Sequence, residues 1–191
     1  MTEALERAEV ERVKPHLRVE VRHRMGALRI DAAFELRQPW TILFGPSGSG
    51  KTTILRAIAG LLRPEAACIE CNPKTSGAAD TRFLLVDTAR GYFLPAHRRN
   101  IPLASQRPNL FPHLTVMQNL RYGYPGVGSA EEEDYRESVI AGLPKLCRLE
   151  HVVEKRPDEL SGGEAQRVNL ARAVAAHHCR LLLLDEPFTG L

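Results

Sequence analysis

The chain has 191 residues, an apolar content of 43% and a formal net charge of +3. This length fits one domain, with a subdomain at most, and no apolar run approaches the roughly 18 residues that a membrane span needs. The charge is too small to indicate nucleic-acid binding, and basic pairs such as Arg98–Arg99 are expected to be solvated.

The first part of the chain predicts a leader followed by strands. Residues 1–14 mix Glu and Arg with short aliphatic residues, which predicts a solvated leader and not a signal peptide. Leu17–Val21 and Ala32–Leu36 alternate between apolar and polar residues, as half-exposed strands do. Trp40–Phe44 is a short apolar run, which predicts a buried strand.

A glycine-rich segment follows and matches G-x-x-x-x-G-K-[ST] in full. The N-terminus of a helix offers unpaired N–H donors and about half a positive charge, which suits phosphate, and glycines let the backbone approach it closely. Lys51 adds a charge for the outer phosphates, and the Thr52 hydroxyl can bind Mg²⁺. The predicted nucleotide-binding residues are Gly45, Pro46, Ser47, Gly48, Ser49, Gly50, Lys51, Thr52 and Thr53.

The middle of the chain predicts helices around one further strand. A helical pattern runs from the phosphate loop through Leu62 and stops at Arg63–Pro64. Phe83–Val86 is a strand candidate. The stretch 109–156 is expected to be helical, with breaks at 122–126 and at Pro144.

A helix is predicted over 161–176, where Ser161 and Glu164 form an S-x-x-E capping box. The box does not account for the two glycines inside it, because each weakens a helix by about 1 kcal/mol. Gly162 and Gly163 make sense if a phosphate must approach this backbone.

Two adjacent carboxylates, Asp185 and Glu186, follow the apolar run Leu181–Leu184, which predicts a strand in the centre of a sheet. In P-loop ATPases the Asp at this place faces Mg²⁺. Glu186 is then set to orient or deprotonate the attacking water. Strand, phosphate loop, helix and later strand together indicate a parallel α/β sheet.

The run Leu-Ser-Gly-Gly-Glu-Ala-Gln-Arg at 160–167 resembles the signature of ATP-binding-cassette (ABC) proteins, and the order of the motifs is that of transporter cassettes. The resemblance extends from about Leu17 to Leu191. It implies a P-loop NTPase (RecA-like) α/β fold, with a parallel-sheet core, an antiparallel β subdomain and an inserted helical subdomain. The expected division is a leader at 1–14, a core at 15–106 plus 166–191, and a helical signature subdomain at 107–165.

The resemblance also implies ATP and Mg²⁺ as cofactors and a homodimer, or a paired cassette, as the working unit. The signature of one subunit would cap the γ-phosphate bound by its partner, through Ser161, Gly162, Gly163 and Glu164. The implied catalytic residues are Glu186, as the base, and Gln106, which helps to place the water. The implied metal ligands are Thr52, Gln106 and Asp185.

The segments at 94–99 and 109–115 resemble importer ATPases, and residues 111–113 together with 119–123 are most similar to those of molybdate importers. This resemblance implies an ATPase on the cytoplasmic face of a membrane, which powers import of a solute, such as molybdate or another oxyanion, through an integral membrane permease. The helical segment after Gln106 is expected to pass the work to that permease.

Two departures from the family pattern leave alternatives open. No aromatic residue stands near Met25–Gly26 to stack on adenine, and Met25 and His23 are the substitutes in reach. The family continues beyond the equivalent of Leu191 into an Asp-bearing loop and a strand that ends in His, so a C-terminally truncated cassette with weak turnover is expected. The alternatives are a non-catalytic nucleotide-binding remnant and a soluble cassette ATPase that acts on DNA or ribosomes.

Overall fold

A computed structural model describes the chain in six stretches, namely residues 16–38, 40–72, 83–123, 129–176, 179 and 181–187. The chain divides into two compact units, Met1–Arg99 and Asn100–Leu191. The predicted leader at 1–14 lies outside the described residues. Within the described stretches, no helix combines the length and apolar character needed to cross a bilayer.

The first unit is built on a five-stranded antiparallel sheet with the strand order β2-β1-β3-β4-β5. The strands are β1 (Leu17–Met25), β2 (Leu28–Leu36), β3 (Ala66–Cys71), β4 (Phe83–Asp87) and β5 (Tyr92–Phe93). Three of the four strands predicted in this unit, at 17–21, 32–36 and 83–86, are confirmed. β3 was not predicted, because Ala66 and Ala67 have little strand preference of their own.

β1 follows the alternation seen in its sequence. Leu17, Val19 and Val21 are buried, and the residues between them are exposed. Val19 stands opposite Phe34 of β2 and Ile69 of β3, so its side chain packs between two strands. The buried face of this sheet forms part of the core of the first unit.

Helix α1 (Lys51–Ala59) follows the phosphate loop, and the short helix α2 (Ala96–Arg99) ends the unit. The prediction that the helical pattern continues through Leu62 is wrong. Gly60 adopts the left-handed conformation, with φ 81°, and its N–H bonds to carbonyls of the last turn, which ends α1.

The prediction of a buried strand at Trp40–Phe44 is also wrong. The segment has no strand assignment, and Trp40 and Phe44 are 85% and 95% exposed. An apolar run becomes a buried strand only when neighbouring strands supply backbone partners and cover its side chains. In the described part of the first unit, β1–β5 form their sheet without this segment.

The second unit is mainly helical. It contains α3 (Val116–Tyr122), α4 (Ala130–Leu146), α5 (Gly162–Val174) and two 3₁₀ turns at Glu150–Val152 and Pro157–Glu159. Pro144 lies inside α4. The prediction that it breaks the helix is therefore wrong. Pro144 stands one turn from the helix end, so little of the helical hydrogen-bond ladder is lost. The core consists of Val116, Leu120, Ile140, Leu143, Leu149, Val152, Val168, Ala171 and Ala175.

The second unit also contains a two-stranded parallel sheet of β6 (Leu103–Ala104) and β7 (Leu183–Leu184). The N–H of Leu183 bonds to the carbonyl of Pro102 at 3.0 Å, and the N–H of Asp185 bonds to that of Ala104 at 2.9 Å. The strand predicted over Leu181–Leu184 exists but is shorter than expected, and within the part of the chain that the structure describes it pairs with β6 alone and does not lie at the centre of a wide sheet. This pairing brings the ends of β6 and β7 together.

Candidate functional site

The phosphate loop at 45–52 turns through two glycines with left-handed backbones. Gly48 has φ 77°, and Gly50, the N-cap of α1, has φ 96°. Both values favour glycine over any residue with a Cβ. The first turn of α1 has neither a side-chain cap nor an acidic residue, so the positive potential of its N–H groups is not neutralised locally.

Lys51 lies over this loop. Its Nζ donates to the carbonyl oxygens of Gly45 and Pro46, each at 2.8 Å. The ammonium group therefore lies beside the start of α1, so its charge adds to the positive potential of the helix N-terminus. An anion that entered the loop would meet both at once.

A close approach fixes the loop against the β1–β2 hairpin. A Cβ on Gly50 would lie 2.7 Å from Cδ1 of Ile30, so only glycine fits without displacement. Thr53, one of the predicted loop residues, is buried, and Thr52 is half-buried. The hairpin residues Ile30 and Leu28 thus border the loop.

The two candidates for the adenine contact lie on the same hairpin. His23 is paired with Ile30, and Met25 is paired with Leu28, so their side chains share one face of the sheet. Met25 is exposed. The hairpin face that borders Gly50 therefore carries both candidates.

In the second unit, the ends of β6 and β7 bring Gln106 and Glu186 into contact. The Nε2 of Gln106 donates to Oε2 of Glu186 at 2.8 Å. Glu186 has a left-handed backbone, with φ 48°, and Asp185 beside it is buried. A non-glycine residue in this conformation is strained, and such strain is common at functional sites.

The signature begins α5 as the capping box predicts. Ser161 is the N-cap, and its Oγ accepts from the N–H of Glu164 at 3.3 Å. Oε2 of Glu164 in turn accepts from the N–H and the hydroxyl of Ser161 at 2.8 and 2.7 Å. A Cβ on Gly162 would meet no atom within 4 Å, so this end of the helix is open on that side.

His151 also contacts the signature, through Glu164, and it was not predicted from the sequence as a site residue. Its Nε2 lies 2.8 Å from Oε1 of Glu164. Hydrogen bonds from the side chain and backbone of Ser161, followed by the contact with His151, lower the pKa of Glu164 from 4.5 to about 2. Glu164 is therefore a carboxylate at neutral pH.

Arg99 corrects the expectation of a solvated basic pair, because its side chain is fully buried. It donates to the carbonyls of Ala57, Ile58 and Leu94 at 2.7–2.9 Å, and its guanidinium lies 4.7 Å from the ring centroid of Phe93. Burial lowers its pKa to about 10. The side chain fixes the last turn of α1, the helix that carries the phosphate loop at its other end.

The predicted site residues thus fall into three groups. The phosphate loop lies in the first unit; the Gln106–Glu186 pair with Asp185 and the signature at 161–164 both lie in the second. Sequence inspection also missed Gln166 and Asn169, which are buried in α5. Two amides beside the apolar Val168 and Ala171 were the signal that could have identified them.

The sequence profile of the ABC transporter family matches residues 31–189. The chain is 43% identical to "Molybdenum import ATP-binding protein ModC" of Mesorhizobium japonicum over 175 residues, which cover 92% of this chain and 44% of that protein. It is 45% identical to "Molybdenum import ATP-binding protein ModC 1" of Azotobacter vinelandii over 151 residues, which cover 79% of this chain and 38% of that protein. The chain therefore spans less than half the length of these curated relatives.

Solved structures give the same picture of the fold. A structure described as the ATP binding subunit of an ABC transporter superposes with a TM-score of 0.68 at 27% identity and covers 92% of this chain and 68% of that chain. A nucleotide-free ATP-binding cassette from an ABC transporter, at 21% identity, gives 0.63 over 93% of this chain and 71% of that one. The predicted P-loop NTPase fold is thereby confirmed, and the chain belongs to the ABC transporter family.

Proposed function

We propose that this chain binds ATP together with Mg²⁺ and hydrolyses it, as the ATP-binding subunit of an importer. The main support for the proposal is the phosphate loop. Nζ of Lys51 donates to two carbonyl oxygens of this loop, and helix α1 begins beside it without a side-chain cap. Such a loop has a surplus of N–H donors and positive charge and no acidic residue to balance it. A triphosphate supplies the missing negative charge.

On entry of the nucleotide, phosphate oxygens replace the carbonyls of Gly45 and Pro46 as acceptors for Lys51. The exchange suits the lysine, because a charged acceptor makes a stronger bond than a neutral carbonyl. The left-handed turns at Gly48 and Gly50 keep the loop backbone free of side chains, so its N–H groups can approach the phosphates. The loop needs no large rearrangement to bind.

The donor set fits Mg²⁺, which prefers hard oxygen ligands. The proposed ligands are the Thr52 hydroxyl, the Asp185 carboxylate and the side-chain oxygen of Gln106. The amide nitrogen of Gln106 donates to Glu186, so its oxygen is the atom of this amide that suits a cation. When bound, Mg²⁺ would neutralise negative charge on the phosphates.

Glu186 acts as the base for the attacking water, and Gln106 holds the carboxylate in position. A carboxylate can orient a water molecule and take its proton as the bond to phosphorus forms. The hydrogen bond of 2.8 Å from Gln106 restricts the rotation of the Glu186 side chain. Restricted rotation favours turnover, because an accurately placed base loses less orientational freedom in the reaction.

A second copy, or a paired cassette, provides the signature in trans. Ser161, Gly162 and Gly163 stand at the N-terminus of α5, which Ser161 caps and which is open beside Gly162, and the helix dipole there favours an anion. In this proposal each ATP lies between the phosphate loop of one chain and the signature of the other. Glu164 holds the Ser161 hydroxyl through the 2.7 Å bond that it accepts.

An integral membrane permease contacts the segment that follows Gln106, within the proposed helical subdomain at 107–165. The rings of Phe111 and Tyr122 pack at an interplanar angle of 57° with their centroids 4.2 Å apart, and Tyr122 is exposed. They border a cavity of about 290 Å³ on the second unit. Exposed aromatic rings beside a concavity are typical of protein interfaces, and this partner would hold the chain at the cytoplasmic face of the membrane.

We propose that the imported cargo is molybdate or a related oxyanion. The support is the likeness to proteins named for molybdenum import, at 43% and 45% identity. The permease and its binding protein select the cargo, so the ATP-binding chain carries no contact to it.

Release of phosphate from Mg·ATP by the purified chain tests the proposal. We expect slow turnover that Glu186→Gln lowers by about 100-fold or more while nucleotide binding persists, since loss of a general base costs about 10²–10⁴ in rate. Turnover that Glu186→Gln leaves intact would contradict the role of this carboxylate. Binding without any turnover by the unaltered chain would favour the non-catalytic remnant.

A further inference from the structure

Three polar side chains form a row along α5, the helix that begins at the signature. They are Gln166, Asn169 and Arg172, each three residues after the last, so they follow one another along one side of the helix. Gln166 and Asn169 are 2% and 1% exposed. Amides buried to this extent need hydrogen-bond partners, and those partners are the backbones of loops.

Asn169 occupies the middle of the row and reaches the Gln106 segment. Its Nδ2 donates to the carbonyl of Ser105 at 2.9 Å. Ser105 immediately precedes Gln106, and Gln106 donates to Glu186 at 2.8 Å. One hydrogen bond, donated by the buried side chain of Asn169, thus links α5 to the segment that contains Gln106.

The outer two members of the row contact neighbouring loops. Gln166 donates from Nε2 to the carbonyl of Pro187, next after Glu186, at 3.4 Å, which is long for such a bond. Arg172 donates from Nη2 to the carbonyl of Asn109 at 2.6 Å. Of the three, only the bond made by Asn169 is both short and adjacent to Gln106.

α5 is well suited to transmit a displacement. Val168 and Ala171, on its apolar side, are fully buried in the helical core of the second unit. A close-packed helix moves as a rigid body rather than bending at one side chain. A shift of Ser161 at its first turn therefore moves Asn169 as well.

We propose that Asn169 is a positioning residue for hydrolysis. By holding the Ser105 carbonyl it fixes Gln106 against Glu186, and it links the signature helix to the proposed catalytic pair. When the signature contacts a nucleotide bound by a second copy, the resulting displacement of α5 moves the Gln106–Glu186 pair of the same chain. The inference rests on the proposed ATPase function for its consequence and on α5 for its geometry.

Asn169→Leu tests the proposal, because leucine has the same branched side-chain shape and no hydrogen-bond donor. Val168→Ala is the matched control, since it removes buried atoms from the adjacent position, which faces the apolar core. We expect Asn169→Leu to lower kcat for ATP about tenfold and to change KM less than about twofold, because it misplaces a reacting group without touching the phosphate loop. Val168→Ala is expected to lower thermal stability and leave kcat within about twofold.

The side-chain amide signals of Gln106 in a ¹⁵N–¹H spectrum give a readout that needs no turnover. We expect them to move towards the position of a solvent-exposed amide in Asn169→Leu and to stay in place in Val168→Ala. Unmoved Gln106 signals in Asn169→Leu would overturn the proposal, and so would a loss of kcat equal to that in Val168→Ala. If the unaltered chain fails to bind ATP, the proposed function fails, and the amide signals still decide the role of Asn169.

Discussion

Nε2 of Gln106 lies 2.8 Å from Oε2 of Glu186, although 80 residues separate the two in the sequence. The parallel pairing of β6 with β7 creates this contact, because the two residues follow the ends of adjacent strands. Gln106 and Asp185–Glu186 were each predicted from a motif, and their hydrogen bond was not. The bond makes the orientation of Glu186 dependent on Gln106.

Gln106→Ala and Gln106→Glu test that dependence. We expect Gln106→Ala to lower ATP turnover about tenfold, the equivalent of one net hydrogen bond. Gln106→Glu should lower it further, because two carboxylates at this distance repel each other. The measurement is the steady-state release of phosphate at saturating Mg·ATP. Equal turnover in both variants and the unaltered chain would show that the bond has no part in hydrolysis.

The Glu164 carboxylate predicts a pH dependence of stability in acid. Its pKa is lowered from 4.5 to about 2, first by the hydrogen bonds from Ser161 and then by His151. A lowered pKa in the folded state means that the stabilisation is complete above the unfolded value and is lost as the pH falls from about 4.5 towards 2. Glu164→Gln lacks this titration.

The difference in denaturation midpoint between the unaltered chain and Glu164→Gln measures the effect, since the other carboxylates cancel. We expect the difference to be constant above about pH 5 and to change steadily below it, in the direction that disfavours the unaltered chain. A difference that stays flat down to about pH 2.5 would contradict the assignment. A carboxyl ¹³C titration of Glu164 provides a direct check.

The close approach of Gly50 to Ile30 predicts unequal effects of two alanine substitutions in one loop. Gly48→Ala meets no atom within 4 Å and should cost about 1 kcal/mol for its left-handed backbone. Gly50→Ala has the same backbone cost and also a contact of 2.7 Å with buried Ile30, which adds about 1–3 kcal/mol. Urea denaturation measures both.

Ile30→Ala provides the control for this pair, because it removes both Cδ1 and Cγ1, which a Cβ on Gly50 would meet at 2.7 and 2.8 Å. Combined with Gly50→Ala, it should cost less than the sum of the two single substitutions. Additive effects, or equal losses in the two alanine variants, would count against the packing of the hairpin on the phosphate loop.

Arg99 and its neighbour Arg98 form a matched pair on α2. Arg99→Met leaves the carbonyls of Ala57, Ile58 and Leu94 without their donor and should lower the free energy of unfolding by about 2–3 kcal/mol. Arg98 is exposed, so Arg98→Met should stay within about 0.5 kcal/mol of the unaltered chain. Similar midpoints for the two variants in urea would contradict the buried role of Arg99.

Motifs whose chemistry depends on the backbone could be predicted from the sequence. The phosphate loop, the capping box of Ser161 with Glu164 and the strands with strict alternation each need particular residues at fixed spacing. Left-handed turns at Gly48 and Gly50 follow from the same logic. These features depend on neighbours in the chain, so one sequence is enough to identify them.

Features that depend on distant partners could not be predicted. Trp40–Phe44 has the composition of a buried strand, but its exposure depends on which strands lie beside it. β3 at Ala66–Cys71 forms because β1 and β4 pair with it, not because of its own preference. Arg99 is basic and yet buried, because three carbonyls 5 to 42 residues away accept from it.

Calorimetric titration of the purified chain with Mg·ATP measures whether the phosphate loop binds the nucleotide, on which the proposed function depends. We expect saturable binding that Lys51→Ala abolishes, because the loop loses its only side-chain charge. Lys145→Ala, which removes an exposed lysine on α4, should leave the binding isotherm unchanged. No heat of binding in the unaltered chain, or equal affinity in Lys51→Ala, would show that this loop is not a nucleotide site.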